Sequence, residues 1–327
     1  MEKKKVYIKS ATQISMQQPL SEEWMETPVV SHDAYVRSLD PNFREWLNPL
    51  ESRRMGKILK RALVTAQKAM DDADVTQPDA VITGTGLGCI ENTELLLDQL
   101  CRQGEQMLKP TYFMQSTHNT ISSLISIYHH LHGYNTTYSH KAASFDAALL
   151  DAYTQLTLGD INTALVTAND ELTPSYFNLL RKVGYLGQPN QVPATETSVA
   201  MVLTTSGEGA LCEVEHVAMA YSANGATFND GLLATLPSTA RACVDHLVLG
   251  TNGTADNDQP YQLLSDGLPQ ADCIHYKRLF GENYSASALG VYAAVHLLEK
   301  GKARHLLFAN HSAGTCLTLV ALKAVNS

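Results

Sequence analysis

The chain has 327 residues, 44% of them apolar and 17% charged, with a formal net charge of -9. That length supports a large core, built as one domain or as two packed halves. The acidic excess argues against a nucleic-acid groove and gives no general affinity for anionic membranes.

The six cysteines (Cys89, Cys101, Cys212, Cys243, Cys273 and Cys316) are scattered, with no CxxC pair. Neither a disulfide framework nor a metal site is expected, and buried free thiols are the simpler reading. Lys3, Lys4 and Lys5 have no long apolar run behind them, so no signal peptide is expected. No apolar stretch of about 18 residues suggests a membrane span, and a reduced cytoplasmic setting fits.

In chain order, Val6-Tyr7-Ile8 reads as a short strand, followed by a polar, loop-like stretch to about residue 50. Met55, Ile58, Leu59, Ala62, Leu63, Ala66 and Ala69 recur at helical spacing and predict a helix over 52–72. Ala80-Val81-Ile82 predicts a strand running into the flexible turn Gly84-Thr85-Gly86-Leu87-Gly88. Helices are expected over 91–103 and 116–131, then a strand at 135–139. Residues 142–158 form an apolar helix poor in charge, hence buried on most faces, stopped by Gly159-Asp160. A strand at 163–168 follows.

The segment 181–195, with two prolines and two glycines, reads as a connector. Beyond it come strands at 199–203, 246–249 and 273–276, a small-residue helix at 285–300, and closing strands at 306–309 and 316–322. Alternating strands and helices favour an α/β architecture with central sheets. Two halves are expected, 1–190 and 191–327, packed as one compact unit. GTGLG is no dinucleotide loop, because it lacks GxGxxG and no acidic residue follows at the required place. No cofactor is expected.

Two spacings carry a resemblance. One runs from Asn119 through Gly133 to the buried helix and Gly159-Asp160. The other is Lys277-Arg278-Leu279-Phe280-Gly281-Glu282 followed by Ser285-Ala286-Ser287-Ala288. Together they resemble the β-ketoacyl synthases of the thiolase-like superfamily. Asn310-His311-Ser312-Ala313-Gly314-Thr315 stands where that family has a glycine-rich closing turn. Thr195-Glu196-Thr197-Ser198 stands where it has Gly-Glu-Gly-Ala. The resemblance spans Val6 to Leu322. It implies a thiolase-like fold: two βα halves forming a layered αβαβα sandwich.

The resemblance also implies a site. Such enzymes load acyl chains on a thiolate at a helix N-terminus, where the dipole lowers the thiol pKa. Two imidazoles then assist decarboxylation and hold the enolate oxygen. Counting back from Gly159-Asp160, or forward from Asn119, puts the nucleophile position at Ala142. The lysine motif puts one histidine position at Glu282. Asn252-Gly253-Thr254, after the strand ending at Leu249, puts the other at Asn252. Only Lys277 is retained. A methyl group cannot form a thioester, and an ionised carboxylate would repel an enolate.

No catalytic set is therefore expected at Ala142, Asn252 and Glu282. Ser144 is a possible replacement nucleophile, but no GxSxG elbow surrounds it, and a small polar residue in a crowded helix is the plainer reading. Glu282 and Lys277 are expected to form a buried ion pair.

By resemblance, the chain looks like a chain-length-factor-type subunit of polyketide, aryl-polyene or fatty-acid-type biosynthesis. Its expected partners are an active ketosynthase, in a heterodimer, and an acyl carrier protein; self-pairing is expected when that partner is missing. Tyr112, Phe113, Met114, Gln115 and Asn119 fall where the family has interface and tunnel residues. The alternatives are an acyl hydrolase or acyltransferase with a changed nucleophile, and a homodimeric scaffold for acyl chains or carrier protein.

Overall fold

The computed structural model describes residues 3–105, 108–222, 228 and 231–325. Its strands are β1 (Val6–Ile14), β2 (Ala80–Gly84), β3 (Tyr134–Tyr138), β4 (Thr163–Asp170), β5 (Thr197–Thr204), β6 (Cys212–Tyr221), β7 (His246–Leu249), β8 (Asp272–His275), β9 (His305–Ser312) and β10 (Cys316–Ala324). They pair in the order β3-β2-β4-β5-β1-β6-β10-β9-β7-β8.

That order contains a repeat. β2 runs parallel to β3 and β4, β4 is antiparallel to β5, and β5 to β1. β7 runs parallel to β8 and β9, β9 is antiparallel to β10, and β10 to β6. The two five-strand sets meet only where Val6, Tyr7 and Ile8 pair with Val214, Glu213 and Cys212. By strand pairing the seam falls between β5 and β6, later in the chain than residue 190.

Two helices lie between the sets: α6 (Ser144–Leu158) and α11 (Ala286–Glu299). One apolar cluster joins Phe145, Leu149, Ala152 and Leu156 of α6 to Leu289, Val291 and Val295 of α11. It includes Ile82 and Val166 from the first set, and Phe308 and Val320 from the second. Because side chains alternate along a strand, the neighbours Val81 and Leu165 face the other way, toward α2 (Lys57–Asp72) and α5 (Thr120–Tyr128). Leu247, Leu307 and Leu319 likewise face α9 (Ala255–Asp266). The result is a five-layer αβαβα stack.

Several elements differ from the pattern reading. β1 continues to Ile14 through Ser10, Thr12 and Gln13, whose polarity concealed a buried strand. The 52–72 helix is split at Gly56: α1 (Pro49–Ser52) is capped by Asn48, and α2 follows. The expected 116–131 helix is the shorter α5, preceded by α4 (Pro110–Met114) across a turn in which the Thr120 hydroxyl bonds back to Met114 and Thr117. β6 was missed because His216 and the glutamates beside it interrupt its apolar alternation. α9 was missed because Pro260 lies within it. α7 (Pro174–Lys182) takes up the start of the expected connector, and α10 (Tyr276–Phe280) begins where β8 was expected to end. The remaining helices are α3 (Ile90–Gln103) and α8 (Ser238–Cys243).

The closeness of α6 to the first sheet depends on Gly84. A Cβ there would lie 2.5 Å from the backbone nitrogen of Phe145 and 2.6 Å from its Cα. Neither strand nor helix backbone can give way cheaply in a close-packed interior. Gly84→Ala is expected to cost about 3 kcal/mol, read as a lower urea midpoint. Leu50→Ala, at an 83% exposed position, should leave the midpoint nearly unchanged.

Candidate functional site

Ala142 sits in a single 3-10 turn, Lys141–Ala143, that leads into α6. Lys141 has φ +52°, a strained value for a residue with a Cβ. The turn is stapled by Ser144, whose hydroxyl donates to the Lys141 carbonyl at 2.6 Å and accepts from the His140 amide at 2.8 Å. Ser144 is fully buried, and its hydroxyl works as a structural brace. From the second half, Asn310 Nδ2 donates to the Ala142 carbonyl (3.3 Å) and to Asp146 Oδ2 (2.8 Å). Ala142 is thus presented on a strained, braced turn at the head of a buried helix.

The other three positions converge opposite it. Lys277, in the first turn of α10, places Nζ 2.7 Å from Glu282 Oε2, and both side chains are buried. Asn252 Nδ2 donates to the same oxygen at 3.3 Å. Asn252 is itself held by Asp258 of α9, whose carboxylate accepts from the amides of Asn252 (2.8 Å) and Gly253 (3.1 Å). The main chain of Glu282 bonds to Pro193 and Thr195, so the connector is laced to this corner. Ala142, Asn252, Lys277 and Glu282 line one cleft of about 560 Å³, with Tyr185, Asn257, His311 and Gly314.

The chemistry available in this cleft is limited. None of the six cysteines, all within the described residues, lines it. Its histidine, His311, donates from Nε2 to the Asn257 carbonyl at 2.8 Å and accepts at Nδ1 from the Gly314 amide. Burial lowers its pKa to about 4. A neutral imidazole with both nitrogens engaged offers no free base. The lysine and carboxylate neutralise one another. The cleft can hold a ligand by hydrogen bonds, but it holds no free nucleophile paired with a base.

Sequence comparison agrees with this geometry. Residues 22–252 match the family model described as "Beta-ketoacyl synthase, N-terminal domain". The chain belongs to the β-ketoacyl synthase family. It is 26% identical over 194 residues to 3-oxoacyl-[acyl-carrier-protein] synthase 2 of Mycobacterium leprae, and the match spans 56% of this chain but only 46% of that relative. Among solved structures, a ketosynthase (ApeO) in complex with its chain length factor (ApeC) from Xenorhabdus doucetiae superposes with a TM-score of 0.81. Identity there is 14%, over 98% of each chain. The ishigamide ketosynthase/chain length factor superposes at 0.79, with 18% identity over 99% of this chain and 100% of that one. These likenesses establish the fold.

The other expected residues of this ketosynthase-family chain lie away from the cleft. Phe113 and Met114, on α4, are 65% and 69% exposed. Tyr112 is half-buried. Gln115 accepts from Asn92 Nδ2 at 3.3 Å, and Asn119 is exposed just before α5. Pattern reading did not single out Asp146, Asn257 or Asp258, nor did it give roles to Tyr185, His311 or Asn310. They reach the site from four elements or loops, and only an i+4 relation to Ala142 marks Asp146 in the sequence. GTGLG also has a concrete role. The amides of Gly86 and Leu87 donate to the Asp170 carboxylate, which also takes the hydroxyls of Thr85 and Ser285.

Two predictions follow from the buried carboxylates. Glu282→Gln leaves Lys277 unpaired and should cost about 3–5 kcal/mol, whereas Lys277→Met with Glu282→Leu should be close to neutral. Urea unfolding of the two variants decides this. The second concerns Glu171, at the end of β4. Burial pushes its pKa from 4.5 to about 8, against the opposing hydrogen bond from the Glu91 amide. The folded state therefore holds this proton more tightly than the unfolded chain. The associated stability is full below about pH 4.5 and is lost as the pH rises toward 8. Glu171→Gln should flatten that decline in urea midpoints measured across the interval.

Proposed function

We propose that this chain is the non-catalytic, chain-length-factor-type partner of an active β-ketoacyl-acyl-carrier-protein synthase. The observation that carries this reading is the cleft itself. Its scaffold, turn and lysine are kept, while the three positions that would carry chemistry hold Ala142, Asn252 and Glu282 on facing walls. Selection on such a molecule acts on a surface or a tunnel wall. Among its structural neighbours are complexes described as ketosynthase with chain length factor, and one described as a type II polyketide acyl-carrier protein with its ketosynthase.

The surface supports pairing. β3 ends the sheet with an open edge, a natural template for another strand. α5 packs on β3 through Ser122, which bonds Asn135 and Thr137. Ile127 on α5 is 71% exposed, as are Phe113 and Met114 on α4 nearby in the chain. In this reading Phe113 and Met114 meet the partner and limit the depth of its acyl tunnel. The product class, polyketide, aryl polyene or fatty-acid-type, is set by that partner and by the carrier protein.

Co-expression with an intact ketosynthase encoded beside this gene, followed by sizing and a malonyl-carrier elongation assay, tests the proposal. A 1:1 complex that elongates only when both chains are present is the expected result. Phe113→Ala with Met114→Ala should lengthen the product without abolishing turnover. If the ketosynthase elongates alone and this chain runs as a homodimer, the heterodimer reading fails. The Ala142→Cys variant should gain no condensing activity in either case, because His311, the imidazole lining the cleft, already has both ring nitrogens engaged.

A further inference from the structure

A second group of chemically capable side chains lies outside the cleft, where the segment after β1 meets the C-terminal turn of α11. His296 and Glu299 are three residues apart on one helical face, and Glu22 joins them from that segment. One ligating atom from each lies within 4.8 Å of the others. His296 is 97% buried, and its orientation is fixed from outside the group: Nε2 faces the Ala11 carbonyl at 3.1 Å. A carbonyl only accepts, so Nε2 carries the proton. Nδ1 then points at Glu299 Oε2, 2.7 Å away, and Glu22 Oε1, 3.4 Å away.

A bare imidazole lone pair against two carboxylate oxygens is three acceptors in contact. A cation must sit between them, either a proton on Nδ1 or a metal ion. The carboxylates are arranged for the second case. Each turns one oxygen toward His296 and the other toward Lys300, whose Nζ lies 2.7 Å from Glu22 Oε2 and 3.6 Å from Glu299 Oε1. Lys300 therefore braces the outer oxygens while the inner two face His296. Metal–ligand bonds of about 2.0–2.2 Å give neighbouring ligand atoms separations of about 3.0–3.4 Å, close to those present here. The Ala11 carbonyl supplies the outer hydrogen bond that metal-bound imidazoles use to fix their tautomer.

We propose that Glu22, His296 and Glu299 form a binding site for a borderline divalent transition metal of the zinc class. One imidazole and two carboxylates suit zinc better than magnesium or calcium, which take oxygen ligands. The ion ties the 21–26 segment to α11. That segment carries Trp24, whose ring packs on Phe280 at 5.2 Å and Tyr292 at 6.0 Å, and Phe280 lies two residues before Glu282. The site thus buttresses the wall of the cleft, whatever the cleft does. Cysteine counting could not reveal it, because its ligands are neither cysteines nor neighbours in sequence.

The test is calorimetric and thermal titration of the chelator-treated full chain with zinc chloride and, separately, magnesium chloride. One saturable zinc equivalent is expected, with a Tm increase of about 3–5 °C at a hundredfold excess over Kd and no response to magnesium. Glu22→Gln and Glu299→Gln, both at partly exposed side chains, should each weaken zinc binding at least about tenfold. Zinc binding that is unchanged in both variants places the metal elsewhere and overturns the proposal. So does an absence of saturable binding tighter than about 1 mM.

Discussion

The molecule depends on one packing constraint: α6 and α11 pack between the two sheets, α11 buried along nearly its whole length and α6 along its inner face. Such a layer admits only small or apolar side chains, and the sequence supplies them in both helices. It also fixes where polar atoms can go. The turns that lead into the two helices are held by buried polar contacts. Ser144 braces the turn before α6, and Asp170 links the 84–88 turn to Ser285 at the start of α11. The cleft exists because these two ends converge.

The same constraint explains how the cleft keeps its shape. Lys277 is buried and needs a counter-charge or a strong acceptor. Glu282 supplies the counter-charge at 2.7 Å, and Asn252 adds a donor to the same oxygen. The three side chains form a small polar network held in place by Asp258 and by the connector. The network forms a structural corner of the cleft. Ala142 lines the same cleft with a methyl group, on a strained turn whose conformation the surrounding bonds enforce.

The two halves repeat one strand order but have diverged in what they expose. The first ends in the open edge strand β3, with α4 and α5 beside it; the second ends in β8. Exposed apolar residues on α4 and α5 belong to the first half, the half that also carries the Ala142 turn. Surface and cleft are therefore connected through α6 and β3 rather than through the chain termini.

Much of this was legible in the sequence, for a physical reason. Periodicity and glycine stops depend on local geometry, so β2, β4, β5, α6 and α11 could be read directly. The spacing from Asn119 to Gly159 points to Ala142 as the expected position because strands and helices have set lengths. The family resemblance added the layered fold. Local pattern failed where tertiary burial overrode it. The polar part of β1, the interrupted β6 and the proline-bearing α9 became regular only when packed against neighbours. The tertiary structure alone decided that Ala142, Asn252, Lys277 and Glu282, separated by up to 140 positions, share one cleft. It likewise decided that Ser144 is a brace and that Glu22 meets His296. Contacts between distant segments depend on how layers stack, and no local property of the chain encodes them.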